Sequence, residues 1–143
     1  MAKADIKMPD EFLTQMQRLG SEEDRIAESV LEAGAAVVAE KVRANLSGAI
    51  GRNTKIESRS TGQLMHSLGV SPVKVNREGN HDCKIGFSEP RRGGGSNAKI
   101  ANILEYGRHG QPAKPFMKPA KTATKSACIE AMMARFREEV DRL

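Results

Sequence analysis

The chain has 143 residues, a length that suits one domain with one core. Hydrophobic residues make up 38% and charged residues 29%, with one Tyr, four Phe and no Trp, so we expect a globular protein with a mainly aliphatic core. The sequence shows no signal-peptide run and no stretch approaching about 18 apolar residues, which argues against a membrane partner. The two cysteines, Cys83 and Cys128, are predicted to be free thiols.

Charge is divided unevenly along the chain, whose net charge is +5. Residues 1–51 carry a net charge of −3, whereas residues 89–125 carry +6. Opposite charges on two parts of one subunit favour head-to-tail contacts between copies, and the basic part also suits nucleic acid. The predicted protein-interface residues are Glu22, Glu23, Asp24, Arg91, Arg92, Arg108, Lys114 and Lys118.

Two helices are predicted in the first third of the chain. Residues 8–19 have helical apolar spacing, and Gly20 ends this short helix. The second helix runs from about Ser21, its predicted N-cap, to Leu46, with three acids in its first turn. The small residues 33–36 allow another element to approach this helix closely.

A loop and a hairpin are predicted in the middle of the chain. Residues 47–60 are polar and aperiodic, which predicts a loop that orders on a partner or a solvated surface loop. A short helix over residues 61–67 leads into two strands joined by a turn at residues 76–80. The alternation changes phase at Ser71-Pro72, which predicts a bend. Because two strands are marginal alone, we expect another strand of this chain or of a neighbouring copy to complete the sheet.

Two further helices are predicted after the hairpin. The three glycines within residues 88–96 predict a flexible tip, and Asn97 is predicted to cap a helix that ends at Tyr106. Gly107 fits the left-handed position after that helix. The last helix begins near Phe116 and continues to the end. Its apolar residues are Ile129, Met132, Met133, Phe136, Val140 and Leu143.

The sequence gives little support for catalysis. It contains no Gly-x-Ser-x-Gly elbow and no P-loop lysine, and its histidines lack metal-type spacing. His81 and Cys83 face one side of a strand, but zinc requires two more ligands, so a zinc enzyme is only a third hypothesis. We predict no catalytic residue, no cofactor and no metal site.

The basic region suggests an alternative function. Lysines 114, 118, 121 and 125 recur at spacings of 4, 3 and 4, which predicts one basic stripe on the last helix. Such a stripe suits phosphates, so a small basic DNA-binding protein is the main alternative, although scarce aromatic residues disfavour base stacking. Glu105 is predicted to pair with Arg108 or with a basic group on a neighbouring copy.

Three segments resemble motifs of a known family. They are Ile-Ala-Asn-Ile-Leu-Glu-Tyr-Gly at 100–107, Ala-Lys-Pro-Phe-Met-Lys-Pro-Ala at 113–120, and Thr-Gly-Gln-Leu at 61–64 followed by Ser67. In this order they resemble the HK97-type tail-component family of long-tailed phages and prophages, over residues 22–142. The matched structural signature positions are Thr61, Gly62, Leu64, Glu105, Tyr106, Gly107, Pro115 and Phe116.

The resemblance implies a structural subunit without catalytic residues. The expected fold is α+β: an antiparallel β-sheet packed against a long N-terminal and a long C-terminal helix, in one domain over residues 1–143 with residues 1–20 as a short arm. The implied function is tail completion by a homo-oligomeric, ring-forming subunit, expected to be a hexamer. The ring would cap the major tail tube protein and join it to the head–tail connector or head-closure protein, with DNA passing through its lumen. The implied location is the virion neck, after assembly in the host cytoplasm.

Overall fold

The computed structural model describes residues 4, 6–50, 62–89 and 94–143. Within these ranges the chain forms five helices and four short strands. In chain order they are α1 (Asp10–Ser21), α2 (Glu23–Ala49), α3 (Gln63–Ser67), β1 (Leu68–Val70), β2 (Lys74–Val75), β3 (His81–Asp82), β4 (Ile85–Phe87), α4 (Asn97–Tyr106) and α5 (Met117–Asp141). This is the predicted α+β class, with its two longest helices, α2 and α5, packed against each other. No helix in the described ranges is both long and apolar enough to span a bilayer.

The junction between α1 and α2 differs from the prediction. Helix α1 continues through Gly20 to Ser21, whose hydroxyl donates to the Arg18 carbonyl at 2.9 Å and therefore does not cap α2. Glu22 occupies the N-cap position instead, with its backbone amide donating to Arg18 and no side-chain cap. The predicted boundary was wrong because Ser21 is still the last residue of α1 and only Glu22 separates it from α2, so there is no loop in which a serine could cap α2. At its other end, α2 extends to Ala49, beyond the predicted end at Leu46.

Small residues bring α2 and α5 close together, as the run at 33–36 predicted. A Cβ atom placed on buried Gly34 would lie 2.7 Å from Met132 Cγ and 3.1 Å from Cys128 Sγ. At distances this short, Met132 or Cys128 must move before a side chain can be placed at residue 34. The absence of a side chain there therefore sets the distance between the two longest helices.

This contact predicts that Gly34→Leu is destabilising. The larger side chain overlaps Met132 and Cys128, and overpacking of this kind costs about 1–3 kcal/mol in free energy of unfolding. Gly48→Leu is the matched control, because Gly48 lies in the same helix and has no neighbour within 4 Å of an added Cβ. We expect the control to match or exceed wild-type stability in urea unfolding. Equal losses for both variants would contradict close packing at Gly34.

The four strands form a bent hairpin. β1 pairs antiparallel with β4, and β2 pairs antiparallel with β3. The break between the two ladders lies at Ser71 and Pro72, as predicted. There the Lys84 amide donates to Ser71 Oγ at 2.8 Å, and the Lys84 carbonyl accepts from the Ser71 amide at 2.7 Å. No third strand joins either ladder in the described residues, so completion of the sheet by another strand stays a prediction.

The core lies where α2, the hairpin, α4 and the start of α5 meet. Its largest fully buried side chains are Val42, Leu46 and Phe116, and burial of a Leu or Phe side chain contributes about 1.5–3 kcal/mol. Partly buried Ile85 and Phe87 of β4 pack against this cluster, as expected for inward positions of the return strand. The buried members of the core are Val42, Leu46, Leu64, Leu68, Ala101, Phe116 and Ala120.

Only part of the apolar stripe of α5 is covered by the rest of the described chain. Met132 and Val140 are half-buried, in agreement with the predicted inner side. Ile129, Met133 and Phe136, which were predicted to share that side, remain 44–49% exposed. The six predicted apolar positions therefore divide between a covered part and an exposed part.

Candidate functional site

The residues between α4 and α5 form a compact corner that is held by backbone hydrogen bonds. Gly107 closes α4 by donating its amide to the Ile103 carbonyl at 2.8 Å. Arg108 and Gln111 then exchange two backbone hydrogen bonds of 3.0 and 2.9 Å, which close a tight turn. The Lys114 amide returns to the Leu104 carbonyl at 2.7 Å. The segment is therefore tied to α4 on both sides of the turn.

Glu105 caps the last helix from a distance. Its Oε2 accepts the amides of Phe116 and Met117 at 2.8 and 2.9 Å, and its Oε1 accepts the amide of Lys118 at 2.9 Å. The first amides of a helix have no partner inside it, and a carboxylate there is also favoured by the helix dipole. The predicted pairing with Arg108 was wrong, because both carboxylate oxygens accept backbone amides.

The electrostatics of this cap favour an ionised carboxylate. Glu105 is only 7% exposed, and burial alone raises the pKa of a carboxyl group. The amides of Met117, Phe116 and Lys118, together with the Lys118 charge, outweigh burial and hold the pKa of Glu105 below its usual value. Glu105 therefore acts as a charged structural clamp between α4 and α5.

Phe116 anchors the corner to the core. Its side chain is 1% exposed and meets the Phe87 ring edge to face, with ring centroids 6.1 Å apart. Its carbonyl accepts from Asn45 Nδ2 of α2 at 3.2 Å. The corner is thus attached to the hairpin and to α2 as well as to α4.

The outer side of the corner presents an exposed aromatic and basic surface. Tyr106 is 78% exposed at the end of α4, and Arg108, His109 and Pro115 are exposed beyond it. Tyr and Arg, together with Trp, are enriched among the residues that contribute most to binding at protein interfaces. The predicted helix end at Gly107 is confirmed and its φ of 77° is positive, but its ψ of 179° is extended, so the predicted left-handed helical conformation was wrong.

The basic stripe is shorter than predicted. Lys118, Lys121 and Lys125 are exposed along α5 and share one side of the helix. Lys114 does not belong to this row, because it lies before α5 begins and is half-buried with a polar partner. The predicted interface residues Arg91 and Arg92 lie outside the described residues.

Two of the three predicted interface acids have partners within the chain. Glu22 forms an ion pair with Arg25, and Asp24 accepts from His81 Nε2 at 2.9 Å. Glu23 is exposed. The acidic cluster therefore also fastens the start of α2 to the hairpin.

The second signature motif has a structural role that the distances explain. Gly62 has a φ of 80° and precedes α3, and Leu64 is buried in the core. Ser67 donates its hydroxyl to the Leu64 carbonyl at 2.8 Å, and its own carbonyl accepts the Ser88 amide. Thr61, predicted as part of this motif, lies outside the described residues.

Sequence reasoning missed several polar contacts. Ser96, not Asn97, caps α4, with its Oγ accepting the Lys99 amide at 3.2 Å; Asn97 is buried and donates to the Ser88 carbonyl at 2.8 Å. Asn97 does not cap the helix because its side chain is hydrogen-bonded to the backbone directly after β4. The pairing of Arg25 with Glu139, at 2.6 Å, joins positions 114 residues apart and leaves no local signal.

The reactive side chains of the described residues do not form a metal cluster. No group of three or more His, Cys, Asp and Glu side chains is placed there to hold a metal ion. Burial, followed by the nearby charges of Asp82, Cys128 and Glu32, raises the pKa of the Cys83 thiol. A raised pKa lowers the thiolate fraction, which makes Cys83 less nucleophilic and a weaker metal ligand.

The fold and the corner define a class of protein: a small α+β domain in which the buried carboxylate of Glu105 fixes the connection between two helices. The sequence model of the bacteriophage HK97-gp10 tail-component family matches residues 10–107. The chain belongs to this family, so the protein is a bacteriophage tail component and part of the virion. The match spans two of the three segments on which the resemblance rested, those with the Thr-Gly and Glu-Tyr-Gly motifs, and the third, at 113–120, lies outside it. No curated protein and no solved structure matches the chain.

Proposed function

We propose that this tail component is a non-enzymatic tail-completion subunit of the head–tail junction. Copies assemble into a homo-oligomeric ring, a hexamer, that caps the tail tube and binds the connector. Membership of the tail-component family is the observation that carries the proposal. The rigid corner supports it, because an assembly subunit needs exposed residues at fixed positions and the Glu105 clamp provides them.

The surfaces that would meet other proteins follow from exposure and charge. The exposed side of the corner, with Tyr106 and Arg108, continues into the lysine row on α5, and both are basic or aromatic. Glu23 is the member of the predicted acidic set that is exposed without an ion pair in the described residues. Complementary charges of this kind mainly set the association rate and the register of docking.

Assembly with purified partners tests the proposal. Native mass spectrometry of the protein alone is expected to show a closed species of six chains. With preassembled tail tubes, electron microscopy of labelled protein is expected to show it at one end of each tube only. Decoration along the whole tube, or no binding to tube and connector, would overturn the tail-completion role.

Charge reversal identifies the surface that the ring and its partners use. Lys118→Glu together with Arg108→Glu is expected to weaken end-binding at least about tenfold, because the two side chains are exposed on one basic surface. Lys74→Glu together with Arg77→Glu is the matched control, with the same charge change on the exposed hairpin. Equal weakening by both pairs would indicate a general charge effect and contradict a specific basic surface.

DNA binding remains the second candidate because three lysines form an exposed row. Lys118 and Lys125 are seven positions apart on α5, with Lys121 between them, which corresponds to about 10 Å along the helix. A gel shift that weakens steeply as salt rises, and is lost in a variant with all three lysines replaced by glutamine, would support this function.

A further inference from the structure

Helix α1 presents an apolar face that the described part of its own chain covers only in part. None of its residues is buried, and Phe12, Leu13 and Met16 are 44–51% exposed. A 12-residue helix is marginal in water unless it packs on another element. Asp10 and Glu11 form the acidic first turn of this helix, and their carboxylates make no ion pair in the described ranges.

A groove of complementary character lies between β4, α4 and the start of α5. It has a volume of about 460 Å³. The half-buried side chains of Phe87 and Met117 contribute apolar surface inside it, and the exposed side chains of Tyr106, Lys118 and Lys121 also line it. The groove therefore combines an apolar floor with two cations on one side.

The charges of the groove favour an acidic occupant. Its one carboxylate, Glu105, has both oxygens engaged by backbone amides of α5. Lys118 and Lys121 make no ion pair within the described part of the chain. An occupant with two adjacent carboxylates and neighbouring apolar side chains would neutralise the lysines and cover the floor together.

We propose that α1 of one copy docks in the α4–α5 groove of the next copy. Asp10 and Glu11 pair with Lys118 and Lys121, and the adjacent apolar residues of α1 cover the floor of the groove. This inference rests on the proposed ring and names the contact that builds it. Docking buries the part of this helix face that its own subunit leaves exposed.

The two surfaces lie too far apart to meet within one subunit. Met16 of α1 shares a surface cavity with Phe136, near the C-terminal end of α5. Lys118 lies 18 residues earlier on that helix, a distance of about 27 Å along its axis. Donor helix and acceptor groove therefore stand at opposite ends of α5. Contacts of this head-to-tail kind are heterologous, and they generate a ring when the rotation closes.

Two variants test the contact separately. Phe12→Asp with Leu13→Asp, the plug variant, removes the apolar side chains of α1 that enter the groove. Because neither residue is buried, the subunit is expected to keep its melting temperature. Lys118→Glu with Lys121→Glu, the groove variant, reverses the two positive charges that line the groove. In sedimentation velocity each variant alone is expected to be monomeric, with an apparent dissociation constant at least about 100-fold higher than wild type.

Mixing the two variants gives the sharper result. The plug variant retains an intact groove and the groove variant retains an intact α1, so together they can form one correct contact and no second one. We expect a one-to-one dimer and no larger species. A mixture that stays monomeric, or either variant assembling alone as well as wild type, overturns the proposal.

Matched controls exclude other apolar and charged surfaces. Ile129→Asp with Met133→Asp makes the same kind of change on the exposed stripe of α5 and is expected to leave assembly unchanged. If this control dissociates the oligomer while the plug variant does not, the occupant of the groove is not α1. Lys74→Glu with Arg77→Glu provides the corresponding control for charge.

A disulfide trap gives a readout that does not depend on affinity. With Cys83 and Cys128 both replaced by serine, Glu11→Cys and Lys121→Cys are expected to cross-link successive copies into a covalent ladder under mild oxidation. A ladder from this pair and none from Glu11→Cys with Lys74→Cys supports the contact. If the copies join in this way but bind no tail tube, the docking contact stands and the tail-completion role fails.

Discussion

Replacement of Glu105 by glutamine is expected to lower the free energy of unfolding by about 3 kcal/mol. Three amides at the start of α5 donate to this buried carboxylate, and hydrogen bonds to a charged group are each worth about 1.5–3 kcal/mol. Glutamine keeps one acceptor oxygen but turns the other position into a donor, which faces an amide that also donates. Urea unfolding at neutral pH measures the loss.

Glu89 provides a control with the same chemistry on the surface. Its carboxylate accepts the Ala98 amide at 3.0 Å at the start of α4, yet its side chain is exposed. Glu89→Gln is expected to cost about 1 kcal/mol or less, because water can replace the lost partner. A loss at Glu105 no larger than the loss at Glu89 would contradict the buried clamp.

The same clamp predicts how stability depends on pH. Because the folded pKa of Glu105 lies below the ordinary value of 4.5, the unfolded chain takes up a proton first as pH falls. The contribution of Glu105 is therefore complete above that ordinary value and is lost as pH falls through the lower folded pKa. Glu139, whose pKa is lowered by its hydrogen bonds to Arg25 and Ser29, changes in the same direction. The difference in free energy of unfolding between wild type and Glu105→Gln excludes the contribution of Glu139, which both proteins share. We expect this difference to decrease as the pH becomes acidic.

Replacement of Gly107 by alanine is the second large loss, about 3 kcal/mol. Its backbone, with φ 77° and ψ 179°, lies in a region that is essentially restricted to glycine and costs other residues about 1–3 kcal/mol. An added Cβ would also lie 2.8 Å from the Ala113 nitrogen and 2.9 Å from the Gln111 oxygen, which are backbone atoms with little freedom to move. The corner must then open to accept the methyl group.

A comparison with Gly110→Ala distinguishes the cost of backbone strain from the cost of steric overlap. It belongs to the same turn and has a φ of 80°, but an added Cβ meets nothing within 4 Å. Gly110→Ala is expected to cost about 1–2 kcal/mol, the penalty of a positive φ alone. Thermal unfolding of both variants checks the comparison. Equal losses at Gly107 and Gly110 would show that the approach of the Ala113 backbone is not a constraint.

The parts of this fold that sequence predicts are those fixed by local chemistry. The bend at Ser71-Pro72 was predictable because a proline cannot donate to the ladder and the alternation changes phase beside it. The close contact at Gly34 followed from a run of small residues on one helix. The positive φ of Gly107 followed from its place after a helical pattern.

The parts that sequence did not predict depend on side chains that meet through the fold. Glu105 reaches the amides of Phe116–Lys118 only after the turn at Arg108 brings the two helix ends together, so its charge suggested an ion pair instead. Asp24 and His81 come from α2 and β3, and nothing in either segment indicates the other. The capping residues Ser96 and Glu22 were displaced by one residue from the predicted Asn97 and Ser21, because tertiary contacts decide between adjacent candidates.

The connections of α5 at both of its ends determine how the subunit carries mechanical load. The helix has 25 residues and is about 37 Å long; Glu105 fastens its first turn, and Glu139 near its last turn is fastened to α2 through Arg25. A force on the corner at Tyr106 therefore acts directly on the long helix α5, because Glu105 attaches the corner to its first turn. A displacement of the corner would therefore move the start of α5, and the contact between Glu139 and Arg25 would couple that movement to α2.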